Sequence, residues 1–267
     1  METLIFGTGG MGRAIAAAVA ERGWPAPHLR GRPATGRHEP ATLPVVDVVF
    51  DASRGSAVKD NVAAALAAGN RRFVVATTAW EADRDDVAAL LVEHGAAAVA
   101  APNFSLGVAL FARLVEAAAR LFGPLAAYDP FVLEWHRRTK TDRPSGTAKE
   151  LAHRILAVHP RKRRLVEPDR NGAPAPDELE VAVIRAGASP GMHVVGFDAP
   201  GETVELRLTA RDRSAYAAGA LAAAEWLLAE PRSPGLHGFD PIVDALVAGG
   251  SAPVPETTAS VLTEVRR

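Results

Sequence analysis

The segment 134–148 gathers side chains that could transfer a proton beside a bound anion. Apolar and polar residues alternate over 131–136, the period-two pattern that predicts a β-strand, so Glu134 and His136 lie on one face of it. Lys140 follows and brings a positive charge to the same region. Imidazole and ammonium groups can both donate a proton in a reaction, so we interpret His136 and Lys140 as the candidate catalytic residues.

A predicted helix follows this strand and offers a place for a carboxylate. Apolar residues over 151–156 repeat with helical spacing, and Ser145 is a favoured residue for the helix N-cap. The backbone N–H groups of Ser145, Gly146 and Thr147 would then point out of the helix N-terminus, where anions bind. We therefore predict that these three residues and Arg137 bind the substrate. The alternative interpretation is an ordinary basic surface loop.

Glycines near the N-terminus form a second pattern with chemical meaning. A short apolar strand is predicted over 3–6, and a helical pattern over 13–22 follows the intervening Gly-Thr-Gly-Gly-Met-Gly. This is the G-x-G-x-x-G fingerprint in the strand–turn–helix context of a dinucleotide-binding fold. Its glycines make the turn, admit the pyrophosphate to the backbone, and let the helix pack on the strand. The predicted cofactor-binding residues of this turn are Gly7, Thr8, Gly9, Gly10, Met11 and Gly12.

The predicted second strand, over 28–32, indicates which dinucleotide is bound. Folds selective for NAD place an Asp or Glu at the end of this strand, where it binds the ribose hydroxyls. This chain has Arg30 and Arg32 there instead, and guanidinium groups bind phosphate in a bidentate fork. We therefore predict that both bind a 2′-phosphate, so that NADPH is the preferred cofactor and NADH is also accepted. The alternative is a solvated basic loop.

The elements that must position these groups fall into two sets. Strands alternate with helices up to about residue 107, which predicts an α/β fold with a Rossmann-like, doubly wound parallel sheet. Three strands without helices between them are predicted at 178–185, 192–198 and 202–210. They indicate a second α+β domain with an open, mostly antiparallel sheet. A long helix is predicted over 215–228, an exposed loop over 159–177, and a flexible tail after about Gly250.

Composition limits the class of protein. The 267 residues suffice for two modest domains, and 48% hydrophobic with 23% charged residues is ordinary for a globular protein. The formal net charge of −1 gives no general support for nucleic-acid binding. The absence of cysteine excludes disulfides and thiolate metal sites and fits a reducing cytoplasm, and no other metal site is predicted. We also expect neither a membrane span nor a signal peptide.

The order of residues over 134–148 resembles a motif of the dihydrodipicolinate reductases, also called 4-hydroxy-tetrahydrodipicolinate reductases. That family carries Glu-x-His-His-x-x-Lys-x-Asp-x-Pro-Ser-Gly-Thr-Ala, and this chain has Glu-Trp-His-Arg-Arg-Thr-Lys-Thr-Asp-Arg-Pro-Ser-Gly-Thr-Ala. The glycine turn and the segment 103–108 are similar to the family as well. Four features depart from its usual pattern: Arg137 replaces a second His, Trp135 occupies a usually small position, Ala188 replaces an acid, and the glycine turn is one residue shorter.

The resemblance implies an enzyme of lysine and diaminopimelate biosynthesis. It implies reduction of the cyclic imine dicarboxylate derived from 4-hydroxy-tetrahydrodipicolinate to tetrahydrodipicolinate, in a cytoplasmic homotetramer, with Arg213 beside the substrate. The family usually has Gly-Thr-Thr-Gly where this chain has Ala76 and Ala79 at the ends, and these alanines are nearly as small as the glycines that let nicotinamide approach the backbone. The cofactor contacts implied by the resemblance are Ala76, Thr77, Thr78, Pro102, Asn103 and Phe104.

The resemblance also implies that the helix after Arg213 returns to the first domain. The predicted division is 1–107 with 213–267 for dinucleotide binding, and 108–212 for substrate binding and oligomerisation. Two alternatives for the function stay open: a reductase of the same fold that acts on a different cyclic imine or unsaturated carboxylate, and a non-enzymatic dinucleotide sensor. The pairing of His136 with Lys140 favours an enzyme over a sensor, and we predict a structural role for His193.

Overall fold

Two β-sheets organise the chain, and helices cover them. The computed structural model describes residues 1–166 and 172–249. In chain order the elements are β1 (Thr3–Phe6), α1 (Gly10–Glu21), β2 (His28–Arg30), β3 (Val48–Asp51), α2 (Val58–Ala67), β4 (Arg72–Val75), α3 (Arg84–Glu93), β5 (Ala97–Ala100), α4 (Leu106–Phe122), β6 (Asp129–His136), α5 (Gly146–Val158), β7 (Arg164–Val166), β8 (Glu178–Arg185), β9 (Met192–Ala199), β10 (Glu202–Thr209), α6 (Ser214–Ala229), β11 (Gly235–His237) and α7 (Asp240–Val247).

The first sheet has six strands in the order β11-β5-β4-β3-β1-β2, and every pair is parallel. Each residue of β1, β3 and β5 is buried, as expected for strands with helices on both faces. The prediction of a Rossmann-like, doubly wound sheet is confirmed. In this topology the carboxyl ends of the strands form one edge, where the loops that bind ligands are found.

Two hydrophobic cores lie on the two faces of this sheet. One core joins Ile5 of β1 and Ile15 of α1 to Leu221 of α6. The other joins β1 and β3 to α2 and α3, with Phe6, Val62 and Leu91 among its members. Helix α6 therefore packs on the first sheet although it follows the second sheet in the chain. This packing supports the predicted discontinuous first domain, whose boundaries at 107 and 213 stay predictions.

The second sheet has five strands in the order β10-β9-β6-β8-β7. The predicted mostly antiparallel character was wrong in detail, because two pairs are antiparallel and two are parallel. Strand β6 inserts between β8 and β9. The chain crosses over through α5 after β6, and both β7 and β8 then run in the direction of β6. Helices α4 and α5 cover one face and share a core with β6, β8 and β9. The other face exposes Trp135 and Ile184.

The stretch 159–177 is more ordered than the predicted exposed loop. It contains strand β7, and its residues His159 and Lys162 are buried. The amine of Lys162 donates a hydrogen bond to the carbonyl of Glu178 at 2.7 Å, which explains how a lysine can be buried here. Residues 167–171 of this stretch and the predicted tail after Gly250 lie outside the described residues. Within the parts of the chain that are described, no helix has the length and apolar character needed to cross a bilayer.

Candidate active site

Strand β6 presents two side chains of the segment 134–148 to the interior of the second domain. Glu134 is fully buried and His136 is 7% exposed, and both project from the face that α5 covers. Strand β6 lies between β8 and β9, so its register determines which residues lie beside Glu134 and His136. Glu134 is opposite His193 of β9, and His136 is opposite Arg185 of β8. The predicted shared face of Glu134 and His136 is therefore present, and the pairing adds two residues to it.

The carboxylate of Glu134 is the centre of a buried polar cluster. Its Oε1 accepts hydrogen bonds from Arg185 Nη2 at 2.6 Å and from the backbone N–H of Ser145 at 3.0 Å. Its Oε2 lies 3.3 Å from Nε2 of His136 and 3.7 Å from Nε2 of His193. Burial acts to raise the pKa of Glu134, but the favourable interactions of the carboxylate with His193, Ser145 and Arg185 outweigh it and leave the pKa far below its usual range. Glu134 is thus an anion.

His136 is held as a neutral imidazole in this cluster. Burial lowers its pKa, and electrostatic interactions with His193, Lys140 and Arg185 lower it further against the opposing carboxylate of Glu134. Both of its ring nitrogens are buried and lack an aligned hydrogen-bond partner among the described residues. The 3.3 Å approach to Glu134 is therefore a close electrostatic contact. His136 can relay or receive a proton here, but its nitrogens do not open directly to solvent.

Lys140 occupies the more accessible side of the site. Its Nζ pairs with a carboxylate oxygen of Asp142 at 2.7 Å, and its side chain is 24% exposed. The backbone of the loop is fixed, because Lys140 N–H donates to Arg137 C=O and Arg137 N–H donates to Ser189 C=O. The guanidinium of Arg137 is in an exposed residue of this loop. Of the two predicted catalytic residues, Lys140 is therefore the one whose charged atom can reach a ligand.

The predicted anion cradle is smaller than the sequence suggested. Ser145 does cap α5, since its Oγ accepts from Ala148 N–H at 3.2 Å. Its own N–H, however, is bound to Glu134, so the prediction that it binds substrate was wrong for this group. The N–H groups of Gly146 and Thr147 remain for an anion, and the space beside Gly146 Cα is open. Sequence reasoning missed the competition because the loop between β6 and α5 brings the N–H of Ser145 back to Glu134, and no residue pattern signals this contact.

A metal centre is the other arrangement that this cluster could suggest. Glu134, His136 and His193 place three atoms of ligand type within 4.8 Å of one another. A cation there would lie beside the guanidinium of Arg185, which binds the same carboxylate at 2.6 Å. Two positive charges at one buried carboxylate repel each other. We therefore interpret the cluster as a buried acid–base network and not as a metal site.

The glycine turn has the geometry that a dinucleotide requires. Gly7 has φ of +109°, which favours glycine, and a Cβ there would lie 2.3 Å from the carbonyl oxygen of Ala52. A Cβ on Gly12 would lie 1.9 Å from the carbonyl oxygen of Gly7, so only glycine lets α1 pack this closely. The space beside Gly9, the N-cap of α1, is open. An anion can therefore approach the N-terminus of α1.

A cavity of about 280 Å³ lies between this turn and the ends of β2 and β3. Both predicted 2′-phosphate ligands, Arg30 and Arg32, line it. Two further lining residues, His38 and Arg54, were not predicted as ligands. Arg54 belongs to the loop after β3, which the sequence does predict to face the cofactor from the carboxyl edge, whereas His38 is in a loop without a recognisable pattern. A dinucleotide fits this cavity by its glycine backbone, helix N-terminus and cations.

The other predicted cofactor residues divide into two groups. A cavity of about 220 Å³ is lined by Thr77, Thr78 and Pro102, so these three are brought together. The hydroxyl of Thr77 is already used, because it donates to buried Asp51 at 2.6 Å. Asp51 also accepts from Asn61 at 2.8 Å and therefore ties the loops after β3 and β4 to α2. We expect the backbone of Thr77 to face a ligand, together with the neighbouring Ala76.

The segment 102–104 contributes backbone and packing more than side-chain contacts. The ring of Phe104 is 2% exposed and meets Phe239 edge-on at 5.1 Å, so its side chain belongs to the core and not to a ligand site. The side chain of Asn103 accepts from Ser105 N–H at 2.8 Å and shapes the entry to α4. The predicted cofactor contact of this segment, if made by Phe104, must therefore use its backbone.

Arg213 lies at a place that the sequence did not indicate. A Cβ built on Gly10 would be 1.8 Å from Nη1 of Arg213, so the guanidinium covers the glycine turn. This position follows from the packing of α6, which begins at Ser214, against α1. Arg213 consequently faces the predicted dinucleotide site in this structure. Its predicted contact with the substrate stays a prediction.

Fold and site together define a class of protein. A parallel sheet with a dinucleotide fingerprint, joined to a second sheet that carries a buried acid–base cluster, is the arrangement of a two-domain oxidoreductase. The family model described as dihydrodipicolinate reductase, N-terminus, matches residues 30–104, and the model described as dihydrodipicolinate reductase, C-terminus, matches residues 107–242. The chain belongs to the dihydrodipicolinate reductase family, as the motif over 134–148 indicated.

Individual relatives give the same assignment. The chain is 37% identical over 197 residues to the 4-hydroxy-tetrahydrodipicolinate reductase of Methanoregula boonei, covering 74% of each chain. It is 36% identical over 203 residues to the enzyme of that name from Archaeoglobus fulgidus, covering 74% of this chain and 76% of the relative. The solved structure of a dipicolinate-bound dihydrodipicolinate reductase from Paenisporosarcina sp. TG-14 superposes with a TM-score of 0.63 at 20% identity, over 89% of this chain and 97% of that one, and supports the fold.

Proposed function

We propose that this protein reduces the cyclic imine dicarboxylate derived from 4-hydroxy-tetrahydrodipicolinate to tetrahydrodipicolinate, in lysine and diaminopimelate biosynthesis. The observation that carries the proposal is the site on β6 and α5. A buried Glu134–His136 pair, an accessible ammonium at Lys140 and two free N–H groups at the start of α5 lie on one strand–loop–helix unit. Family membership supports the same assignment.

The glycine turn and the cavity beside it would hold the cofactor. A reduced nicotinamide dinucleotide supplies a hydride when it is bound. The backbone of Gly9 and Gly10 at the N-terminus of α1 would hold its pyrophosphate, and Arg30 with Arg32 would hold a 2′-phosphate. We propose that NADPH is preferred and that NADH is also used, because two cations and no acid follow β2.

The chain's own residues would handle charge and protons. Hydride addition to a conjugated C=C–C=N system leaves electron density on the substrate, so an acid must deliver a proton. We propose that Lys140 donates it at the substrate side and that His136 behind it takes part in the proton supply. This order is supported by the exposure of Lys140 and by the burial of both His136 nitrogens. The N–H groups of Gly146 and Thr147 would bind a substrate carboxylate.

The experiment is steady-state oxidation of NADPH with freshly generated substrate. Lys140→Ala and His136→Gln should each lower kcat by about 100- to 10,000-fold, the usual effect of removing a general acid. Cofactor affinity, measured by fluorescence titration, should be unchanged because the cofactor residues lie on the first sheet. Lys149→Ala is the matched control, since Lys149 is an exposed lysine of α5. Retention of more than about a tenth of kcat in both variants would contradict the assignment.

Binding of the carboxylate is tested separately. Thr147→Val keeps the backbone N–H but adds a methyl group in place of the hydroxyl, and we expect it mainly to raise KM for the substrate. A loss confined to kcat would instead place Thr147 in the chemical step. The same assay decides between the alternatives for the function. Cofactor binding without turnover on this substrate would favour a different imine or a sensor.

Trp135, one of the departures from the family pattern, faces away from the site and so does not alter the choice of substrate. Trp135 lies on the opposite face of β6 from His136, and its Nε1 donates to the carbonyl of Ala186 at 2.9 Å. It cannot contact a ligand beside His136. Arg137, on the loop that carries Lys140, is the departure that can, so a second cyclic imine as substrate would be explained at Arg137.

We also propose that the open face of the second sheet pairs subunits in a homotetramer located in the cytoplasm. Trp135 is 37% exposed and Ile184 is 43% exposed on neighbouring strands of this face. Exposed large apolar side chains on adjacent strands are typical of an interface. The proposed division of the chain, with 108–212 as the substrate-binding and oligomerisation domain, places this face on the assembly domain.

A further inference from the structure

His136 is enclosed by residues that its motif does not contain. Strand β9 begins beside it, and a Cβ built on Gly191 would lie 2.8 Å from Cε1 of the imidazole and 3.2 Å from Nδ1. A side chain at position 191 would therefore displace the ring. On a second side the ring of His193 meets it edge-on, with centroids 5.2 Å apart and planes at 73°. The position of the imidazole is thus set by His193 of β9 and by Gly191, the residue just before that strand.

The third side is formed by the carboxylate of Glu134. Its Oε1 is occupied by Arg185 and by Ser145 N–H, which leaves Oε2 to face Nε2 of both imidazoles at 3.3 and 3.7 Å. Neither contact is an aligned hydrogen bond, but the negative charge on Oε2 attracts an N–H and repels a lone pair, so it favours a proton on each facing nitrogen. Both rings then have the Nε2–H tautomer, and Nδ1 of His136 keeps its lone pair. One oxygen atom therefore selects the tautomer of two histidines.

We propose that His193 is a positioning residue of the reductase reaction, which with Glu134 and Gly191 fixes the orientation and protonation state of His136. The proposal rests on the proposed function and gives a specific task to the structural role that the sequence predicted for His193. His193 acts through His136 and contacts no substrate atom. It shares Glu134 Oε2 with His136, and its Nε2 lies 3.3 Å from Oγ of Ser145, the cap of α5. His193 therefore links the imidazole of His136 to α5, the helix proposed to bind a substrate carboxylate.

The charges around His136 give this proposal a signature that simple packing would not produce. Four groups face the imidazole: Glu134 on its own strand, Lys140 on the following loop, Arg185 on β8 and His193 on β9. His193 and the two cations lower the pKa of His136, and Glu134 raises it. Removing His193 should therefore raise this pKa, whereas neutralising Glu134 should lower it. If the pKa of His136 shifts in opposite directions in the two variants, then His193 and Glu134 both act on the imidazole.

The test compares His193→Gln and His193→Leu with the wild-type chain. Glutamine places an N–H near the position of Nε2, whereas leucine removes the donor and keeps the bulk. Leucine should lower kcat by about 100-fold, the effect expected when a reacting group is misplaced by about 1 Å, and glutamine should recover most of that loss. Cofactor affinity should not change. His159→Asn is the matched control, because His159 is a buried histidine of the same domain whose Nδ1 accepts two backbone N–H bonds.

The second readout is direct and does not depend on substrate. The chain has eight histidines, so labelled histidine and a His136→Gln reference spectrum identify the His136 resonances by NMR. The titration midpoint of His136 should rise in His193→Gln and fall in Glu134→Gln. Gly191→Ala should shift the ring resonances strongly, whereas Gly201→Ala, where a Cβ meets open space, should not. If His193→Leu fails to fold, the glutamine and Gly191 variants still give the answer.

The outcomes separate the inference from the proposed function. An unchanged His136 titration together with unchanged kcat in His193→Gln and His193→Leu would overturn the inference. A loss of activity with unchanged His136 resonances would also overturn it and leave His193 as a packing residue. An inactive wild-type chain would refute the proposed function, while the NMR shifts would still decide whether His193 and Glu134 set the state of His136.

Discussion

Ala79 adopts a backbone conformation that its side chain disfavours, and relieving it should stabilise the protein. Its φ is +60°, the only positive φ outside glycine among residues 1–166 and 172–249. A residue with a Cβ is strained by about 1–2 kcal/mol in this conformation. Glycine removes that strain but stabilises the unfolded chain by about 0.4–1 kcal/mol, because it has more backbone freedom. We therefore expect Ala79→Gly to raise the free energy of unfolding by about 0.5–1 kcal/mol.

The turn keeps this conformation because its surroundings leave no alternative. A Cβ on Gly55 would lie 1.8 Å from the carbonyl oxygen of Ala79, so the two loops are in backbone contact. Thr77, two positions earlier, is tied to Asp51. Ala79 itself is exposed and its methyl group packs on little, so almost no burial is lost on removing it. Alanine is nearly as small as glycine, as the sequence indicated, but position 79 also requires a positive φ, which glycine adopts more readily.

Urea unfolding followed by tryptophan fluorescence measures this effect, and Trp80 next to the turn is 7% exposed and reports on it. The urea midpoint should rise by about 0.3 M for a typical dependence of free energy on urea. Ala82→Gly is the matched control: Ala82 is also exposed but has an ordinary φ, so it should lose about 0.5–1 kcal/mol. Equal destabilisation by both substitutions would refute the reasoning.

Three further predictions address cofactor choice, acid stability and assembly. Replacing Arg30 and Arg32 by alanine should weaken NADPH more than NADH in a cofactor titration, and equal losses would contradict their 2′-phosphate role. The folded-state pKa of Glu134 lies below its unfolded value of about 4.3, so its contribution to stability is present above that pH and is lost as the pH falls toward the depressed pKa. Glu134→Gln should accordingly flatten the dependence of the unfolding free energy on pH below about 4, and an unchanged slope would argue against the buried anion. Light scattering should show a tetramer that Trp135→Glu dissociates, whereas a wild-type monomer at micromolar concentration would contradict the assembly.

The sequence predicted those parts of the fold and site that depend on local patterns. The strand–turn–helix around Gly7 follows from backbone requirements that only glycine meets, and the glycine positions can be read directly from the sequence. The shared face of Glu134 and His136 follows from the period of a strand. The N-cap at Ser145 follows from its side-chain chemistry. Each of these features involves residues that are near one another along the chain.

Features that depend on distant pairing could not be predicted in the same way. The N–H of Ser145 is taken by Glu134 because the loop between β6 and α5 folds back onto the strand. Arg213 covers Gly10 because tertiary packing brings together segments far apart in sequence. The mixed second sheet has the same origin, since β6 pairs with strands that follow it by long connections. Phe104 was assigned to the cofactor site from its motif, yet its ring packs against Phe239 in the core that includes α6.

The central place of β6 in the second sheet restricts how this family can change. Pairing on both sides fixes the strand residue by residue, and a slip of one position would turn His136 outward and Trp135 inward. A single inserted or deleted codon within β6 would therefore abolish the proton-handling cluster while leaving composition almost unaltered. Insertions and deletions among related genes should therefore be concentrated in the connections before and after β6. Substitutions that change substrate choice should be tolerated best from Arg137 onward, because the strand ends at His136.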